Sequence, residues 1–344
     1  MTTHRTATAI AHPNIALAKY WGKRDGDGNV PAVPSLSVTL AGMSTTTTVS
    51  FDATLVDDEL VLNGVAQASD ARTKVRATQL LDRVRAAAST STRARVVSVN
   101  DFPTASGLAS SASGFAALAI AAVRAADLDW SAERVADLAR RSSASAARSV
   151  FGGFVELDGG LGAEAGQGAA RAVAPPSALD LRVIVCVTTE AEKSTSSTEG
   201  MKLTQAKSPY YAAWVADAPL AHALMRTALL AGDFTRVGEL AERSALAMHA
   251  CAMAAGIIYV TGATLAALDE VRALRASGLE CYATIDAGPH LKCLVRAADA
   301  ASASAQLEKV PGVIRVIEAV PGEGARIVDE LGRRRPLEEQ KAPR

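Results

Sequence analysis

Between residues 94 and 126 the chain passes from "ARVVSVNDFP" through "TASGLASSASG" into an alanine-rich run of helical length. The valine-rich first part predicts a strand, ended by Asn100, Asp101 and Pro103. The last part predicts a helix from about Leu108 to Ala126. A turn between strand and helix leaves the N–H groups of the first helical turn free, facing the turn and carrying partial positive charge. Gly107 and Gly114 allow close backbone approach, and Ser110 and Ser111 add hydroxyls for phosphate oxygens or a hydrated Mg²⁺. The turn lacks the GK[ST] ending of a P-loop and is not GxGxxG. Tight helix packing in an alanine-rich chain uses the same composition, so this segment alone leaves an anion site and a packing motif both open.

Around it, "LSVTLAGMSTTTTVSF" (36–51) predicts two strands joined by a turn, and residues 72–88 a helix. Ser131 caps a helix reaching roughly Arg141, "SVFGGFVEL" reads as a short strand and "LDGGLGAEAGQG" as a loop. The stretch "AVAPPSALD" (172–180) is the best linker, dividing the chain into units 1–178 and 179–332 with a polar tail, 333–344. In the second unit "LRVIVCVTT" predicts a buried strand. Helices follow near 199–215, 217–230, 233–252 and 261–277, then strands "CYATID" and "LKCLVRA" about the turn "AGPH". Segregated runs of strand and helix argue for an α+β protein of two layered domains.

Lys plus Arg and Asp plus Glu each total 36 in the 344 residues, so no overall field favours nucleic acid or an anionic membrane. Any anion must be held by local groups. The N-terminus lacks the features of a secretory signal, which points to the cytoplasm. The uncharged runs Ala105–Val123 and Ala250–Leu268 are mostly Ala, Gly, Ser and Thr and read as packed interior helices, not spans. Cys281, His290 and Cys293 lack a fourth ligand for a zinc site.

Three further segments carry chemistry. "NIALAKYWGKRD" groups Lys19, Lys23 and Arg24 with Tyr20 and Trp21, and sets Asn14 among apolar residues. A solvated basic edge is the ordinary reading of such a run. "RRSSASAARSVFGGF" places Ser143, Ser145 and Arg148 within two helical turns, and the arginine fork matches carboxylates and phosphates. "ATIDAGPH" ends an apolar strand with Asp286, which either caps the turn or points one carboxylate out of a sheet edge.

In order and wording these segments, with "PSLSVTL" and "SSTEGM", resemble the diphosphomevalonate decarboxylases of the GHMP kinase superfamily, over most of the chain. The resemblance implies a two-domain fold, with a ribosomal protein S5 domain 2-like N-terminal domain, an α/β C-terminal domain and the active site in the cleft between them. It implies a homodimer that uses ATP and Mg²⁺ to convert mevalonate 5-diphosphate to isopentenyl diphosphate, with no nucleic-acid or membrane partner. Carried over residue by residue, Asp286 is the base beside the 3-hydroxyl and Lys19 stabilises charge at the reacting centre. Arg148 and Asn14 hold the substrate carboxylate. Tyr20, Lys23, Ser143, Ser145 and Ser197 surround the diphosphate. Ser106, Gly107, Leu108, Ala109, Ser110 and Ser111 surround the ATP phosphates, with Ser111 nearest the γ-phosphate and the candidate metal contact. Val33, Pro34, Thr198 and His290 depart from the pattern of many relatives and bear on specificity at the phosphate end. A mevalonate 5-phosphate decarboxylase, a mevalonate 3-kinase and another GHMP small-molecule kinase are the alternative activities.

Overall fold

The computed structural model describes residues 5–24, 26, 28–102, 110–159, 168–191 and 195–328. The chain opens with β1 (Arg5–Ala11), β2 (Asn14–Ala18), β3 (Ser35–Ala41) and β4 (Thr45–Phe51). Next come β5 (Glu59–Leu62), β6 (Val65–Ala66), α1 (Arg72–Ala87), β7 (Ala94–Asn100), α2 (Ser110–Ala125) and α3 (Ala132–Ser142). A 3-10 segment, Ala144–Val150, leads into β8 (Phe154–Leu157) and β9 (Ala170–Ala174). The remainder is β10 (Arg182–Val187), α4 (Ser197–Lys207), α5 (Tyr211–Leu230), α6 (Phe234–Met253), α7 (Gly262–Ala276), β11 (Cys281–Ile285), β12 (Leu291–Val295), α8 (Ala300–Leu307), β13 (Arg315–Pro321) and β14 (Arg326–Val328).

The result is a mixed α/β architecture on two sheets. One has six strands in the order β14-β1-β4-β7-β5-β6; the other has eight, running β11-β12-β10-β13-β3-β8-β9 with β2 also paired to β3. The strands expected from "LSVTLAGMSTTTTVSF" both form, with Gly42 turning the chain at φ 92°, yet they are not partners. β4 pairs with β1 and β7, whereas β3 pairs with β2, β8 and β13 in the other sheet. This crossing carries the chain from one sheet to the other.

The burial patterns explain the layers. In β4, Thr45, Thr47, Val49 and Phe51 are buried and alternate with half-buried neighbours, as in a strand with one covered face. The cover is α2, whose alanines at 112, 116, 117, 119, 121 and 122 are buried and small enough to bring its backbone close to the sheet. By contrast, β11 and β12 are buried along their whole length. Val183, Val185, Tyr282 and Leu294 face a cluster with α5 and α6, while Ile184, Cys186, Cys281, Ala283 and Cys293 face one with α7 and α8.

Several expectations change. The break among the helices falls at Ser208–Tyr210, not near residue 216. Pro209 disfavours helical backbone at the preceding residue, and Pro219 is accommodated inside α5. In "SVFGGFVEL" the strand begins only at Phe154, after the 3-10 segment, and the proposed linker starts inside β9. Strands β1, β2, β5, β6, β9, β13 and β14 and helix α8 were not expected. The uncharged run from Ala250 divides between α6 and α7, and among the described residues no helix is long and apolar enough to cross a membrane.

Candidate active site

β2 delivers Lys19 to the end of the second sheet. A register shift between Ala16 and Ala18 interrupts its pairing with β3, and the Lys19 Nζ curls back to donate to the Ala16 carbonyl at 2.7 Å. The Lys19 backbone N–H donates to Ser244 Oγ of α6 at 2.9 Å, and Trp214 Nε1 donates to the Trp21 carbonyl at 2.8 Å. Helices α5 and α6 therefore fix the basic segment from behind.

Asp286 follows β11 directly. The His249 ring of α6 lies 3.0 Å from the Asp286 carbonyl oxygen through Nε2. Gly288 approaches Tyr259 so closely that a Cβ there would collide with the Tyr259 backbone. The Asp286 carboxylate is held by two ammonium groups, Lys19 at 2.7 Å from Oδ1 and Lys292 at 3.2 Å from Oδ2. Both lysine side chains are 1% exposed and the aspartate 24%, so the carboxylate faces outward with the cations behind it.

Arg148 sits in the 3-10 segment beside this pair. Its Nε donates to Asn14 Oδ1 at 3.1 Å and its Nη1 to Ser35 Oγ at 2.7 Å. Asn14 in turn donates through Nδ2 to the Ser145 carbonyl at 3.0 Å and Ser149 Oγ at 2.7 Å. The Ser143 and Ser145 hydroxyls lie 3.2 Å apart. Farther out, Lys23 Nζ donates to Asn29 Oδ1 at 2.7 Å and Thr198 Oγ1 at 3.1 Å.

Asn14, Lys19, Lys23, Asn29, Ser143, Ser145, Arg148, Thr198 and Asp286 line one cavity of about 620 Å³, together with Arg72, Arg76, Arg141, Ser197, Glu199, Lys202 and Ser111. Seven cations face it, Lys19, Lys23, Arg72, Arg76, Arg141, Arg148 and Lys202, against the two acids Glu199 and Asp286. A chain with no net charge has gathered one sign of charge into one cleft, which concentrates anions there. Tyr20 Oη and Trp21 Nε1, both on residues of this wall, are buried with no hydrogen-bond partner among the described residues. A second cavity of about 510 Å³ shares Arg76 and Ser111 with the first and is lined by Leu60, Leu62, Val96, Phe115, Ser110 and Asn100, among others. Two cavities meeting at a basic wall suit two ligands whose charged ends converge.

Burial sets the protonation of the floor. It pulls the Lys19 ammonium down to about 8, against the opposing attraction of Asp286. Partial burial of Asp286 would alone raise its pKa, but Lys19 and Lys292 more than offset this and hold it well below the usual carboxylate range. Burial lowers Arg148 to about 10 and His249 to about 4, the latter helped by Lys19, so the imidazole is neutral at pH 7. Lys23 falls to about 8 through burial and the neighbouring Arg76 and Lys202.

Of the residues singled out in the sequence, Asn14, Lys19, Tyr20, Lys23, Ser111, Ser143, Ser145, Arg148, Ser197 and Asp286 all line the first cavity. Ser110 lines the second. Ser106, Gly107, Leu108 and Ala109 lie outside the described residues. Among the departures, Thr198 contacts Lys23, whereas His290 is fully buried with its Nδ1 accepting from the Thr188 N–H at 3.2 Å, away from the cavity wall. Sequence reasoning missed Arg72, Arg76, Arg141, Lys202, His249 and Lys292. Arg72 and Arg76 are four apart on α1 and share a face. Lys292 left one signal, a single charge inside the apolar strand "LKCLV".

Comparison with known proteins agrees with this geometry. The profile of the Diphosphomevalonate decarboxylase-like N-terminal domain matches residues 11–167, and that of the Mevalonate 5-diphosphate decarboxylase C-terminal domain matches residues 183–324. The chain is 38% identical over 313 residues to diphosphomevalonate decarboxylase mvd1 of Aspergillus fumigatus, covering 84% of this chain and 77% of that protein. It is 36% identical over 288 residues to the phosphomevalonate decarboxylase of Haloferax volcanii, covering 82% and 86%. The solved complex of MDDEF with MVAPP, AMPPCP and magnesium superposes with a TM-score of 0.86 at 37% identity, over 95% of this chain and 100% of that one. With both halves matched and the cavity formed where they meet, the chain belongs to the diphosphomevalonate decarboxylase family.

Proposed function

We propose that this protein decarboxylates mevalonate 5-diphosphate at the expense of ATP, yielding isopentenyl diphosphate, CO₂, ADP and phosphate. The observation that carries the reading is a carboxylate held by two buried lysines and flanked by a buried arginine, at the floor of a cleft where cations outnumber acids. Family membership supports it, as do the ligands of the MDDEF complex.

The substrate carboxylate is β to a tertiary alcohol, so no carbonyl is placed to accept the electrons left by CO₂, and hydroxide is a poor leaving group. Transfer of the ATP γ-phosphoryl group to the 3-hydroxyl makes a good one. When the C3–O bond breaks, phosphate leaves with the bonding pair, and the electrons of the C1–C2 bond form the C2–C3 alkene as CO₂ departs.

Asp286, pinned between ammonium groups, is a weak base. Its contribution is to accept a hydrogen bond from the 3-hydroxyl, fix its direction, and take the proton only as the oxygen binds phosphorus. Lys19, sharing that carboxylate, is in reach of negative charge on the transferring group. Arg148 has Nε and Nη1 committed to Asn14 and Ser35, which fixes the plane of the fork against the substrate carboxylate. Tyr20, Lys23, Ser143, Ser145 and Ser197 serve the diphosphate, and the second cavity takes the nucleoside, with its phosphates reaching Ser110, Ser111 and Arg76. Among the described residues no group of three His, Cys, Asp or Glu could hold a metal, so Mg²⁺ would rest on phosphate oxygens and the Ser111 hydroxyl. Bound there, it neutralises phosphate charge. We also place the protein in the cytoplasm as a homodimer with no nucleic-acid or membrane partner, built of units 1–178 and 179–332.

The test is CO₂ release from carboxyl-labelled mevalonate, its 5-phosphate and its 5-diphosphate, with ATP, Mg²⁺ and parallel measurement of ADP. CO₂ matching ADP with the diphosphate alone is expected. The same match with the monophosphate moves the protein to the Haloferax-type activity, and ADP without CO₂ makes it a kinase.

A further inference from the structure

Lys292 is a buried charge to which the reaction above gives no task. It lies on β12, between β10 and β11, in the interior of the second sheet. By strand alternation it shares the face of Leu294, which packs in the apolar cluster with α5 and α6. Opposite it on β11 stands Thr284, whose hydroxyl is buried with no hydrogen-bond partner among the described residues. Taking an ammonium ion into a protein interior costs about several kcal/mol, and apolar replacement of a buried ion pair is often neutral or stabilising. Stability therefore gives no reason for a lysine where methionine would pack. Its Nζ lies 3.2 Å from Asp286 Oδ2, the oxygen that Lys19 does not take.

We propose that Lys292 is a positioning residue, the fixed counter-ion that holds Asp286 by its far oxygen while Lys19 leaves Oδ1 for the transferring phosphoryl group. The inference rests on the decarboxylation reading. The two lysines are unequal in the way this requires. Lys19 lines the cavity and has a second acceptor in the Ala16 carbonyl, whereas Lys292 is not among the lining residues. Without Lys292, any movement of Lys19 toward substrate would leave the carboxylate with no cation in contact. The charged and titratable groups around the carboxylate are Lys19 beyond β2, Lys292 on β12, His249 on α6 and Arg148 in the 3-10 segment; Cys186 on β10 is the other titratable neighbour of Lys292.

The experiment compares the full-length Lys292→Met variant with wild type in ATP-dependent CO₂ release across pH. We expect kcat about 30-fold lower with both KM values within about threefold, the signature of an interaction made at the chemical step. Losing a positive neighbour raises the Asp286 pKa, so the fall of kcat on acidification begins about one pH unit higher. The thermal midpoint stays or rises. In an Asp286→Asn background, Lys292→Met causes no further loss, because its effect passes through the carboxylate. A lysine with a structural task alone gives a lower thermal midpoint with wild-type kcat and acid limb, and that result overturns the proposal. Should the methionine variant not fold, Lys292→Gln is read on the same two quantities. A wild-type protein that releases no CO₂ overturns the assigned reaction, whereas wild-type turnover with unaffected variants overturns the role of Lys292 alone.

Discussion

The floor and the mouth of the cleft both carry cations, but only those of the floor are almost fully buried. Lys19, Lys292 and Arg148 are almost inaccessible and tied to the Asp286 carboxylate, the Ala16 carbonyl, Asn14 or Ser35. At the mouth, Arg72, Arg141 and Lys202 are exposed and Lys23 and Arg76 half-buried. The floor's desolvation is met by the fold itself, so its groups stand oriented before any ligand arrives. At the mouth the exposed Arg72, Arg141 and Lys202 keep their hydration until an anion replaces it. Substitutions at the floor should therefore act on kcat, and those at the mouth on KM.

Asp286→Asn is expected to have the largest effect, lowering kcat by about 10³-fold or more while nucleotide KM stays near wild type, because the change is confined to the reacting centre. Single-turnover measurement of phosphoryl transfer and CO₂ release checks it. Near-normal turnover would erase the distinction between floor and mouth. Arg148→Lys follows, with kcat/KM down about 100-fold, since one ammonium group cannot hold Asn14, Ser35 and a flat carboxylate together. A variant at wild-type rates would mean that the substrate carboxylate is held elsewhere.

The third prediction concerns pH. Lys19 titrates at about 8, below its unfolded value of about 10.4, and its ammonium form is the one that stabilises phosphoryl charge. Above that point kcat should fall about tenfold per pH unit. Stability moves the other way, because between the two values the unfolded chain binds more protons and folding becomes more favourable as pH rises. A kcat profile flat to pH 9.5 would show that the charge on Lys19 is not used.

The floor itself divides in how far the sequence disclosed it. Lys19, Arg148 and Asp286 stand in short dense segments with distinctive wording, so a resemblance could single them out before any coordinates. Lys292 and His249 stand alone in apolar runs, and only the pairing of β11 with β12 and the packing of α6 bring them to Asp286. The fold divides likewise. Richness in Thr and Val about a glycine identified β3 and β4 as strands, although only β4 alternates and β3 is buried almost throughout; such composition carries no information on partners, and their separation into two sheets was invisible. β13 was missed because its residues are mostly half-buried, with no period to read. The α4–α5 boundary falls at Ser208–Tyr210 because Pro209 breaks the helix there, while the packing of Trp214, Ala218 and Ala221 carries α5 through Pro219.

The smallest effect is expected at the mouth, from Lys202→Ala. Lys202 lies on α4 four residues from Thr198, which accepts a hydrogen bond from Lys23. An exposed cation stabilises a bound phosphate through water at high dielectric, so its loss should raise substrate KM only about three- to fivefold and leave kcat unchanged. Part of the loss is returned, because Lys202 is one of the charges that depress Lys23, and its removal lets Lys23 hold its proton to higher pH. Added salt should raise the KM of wild type more than that of the variant, until the two converge. If the variant instead lowers kcat at saturating substrate, charge at the mouth reaches the chemical step, and the two ends of the cleft act as one electrostatic unit.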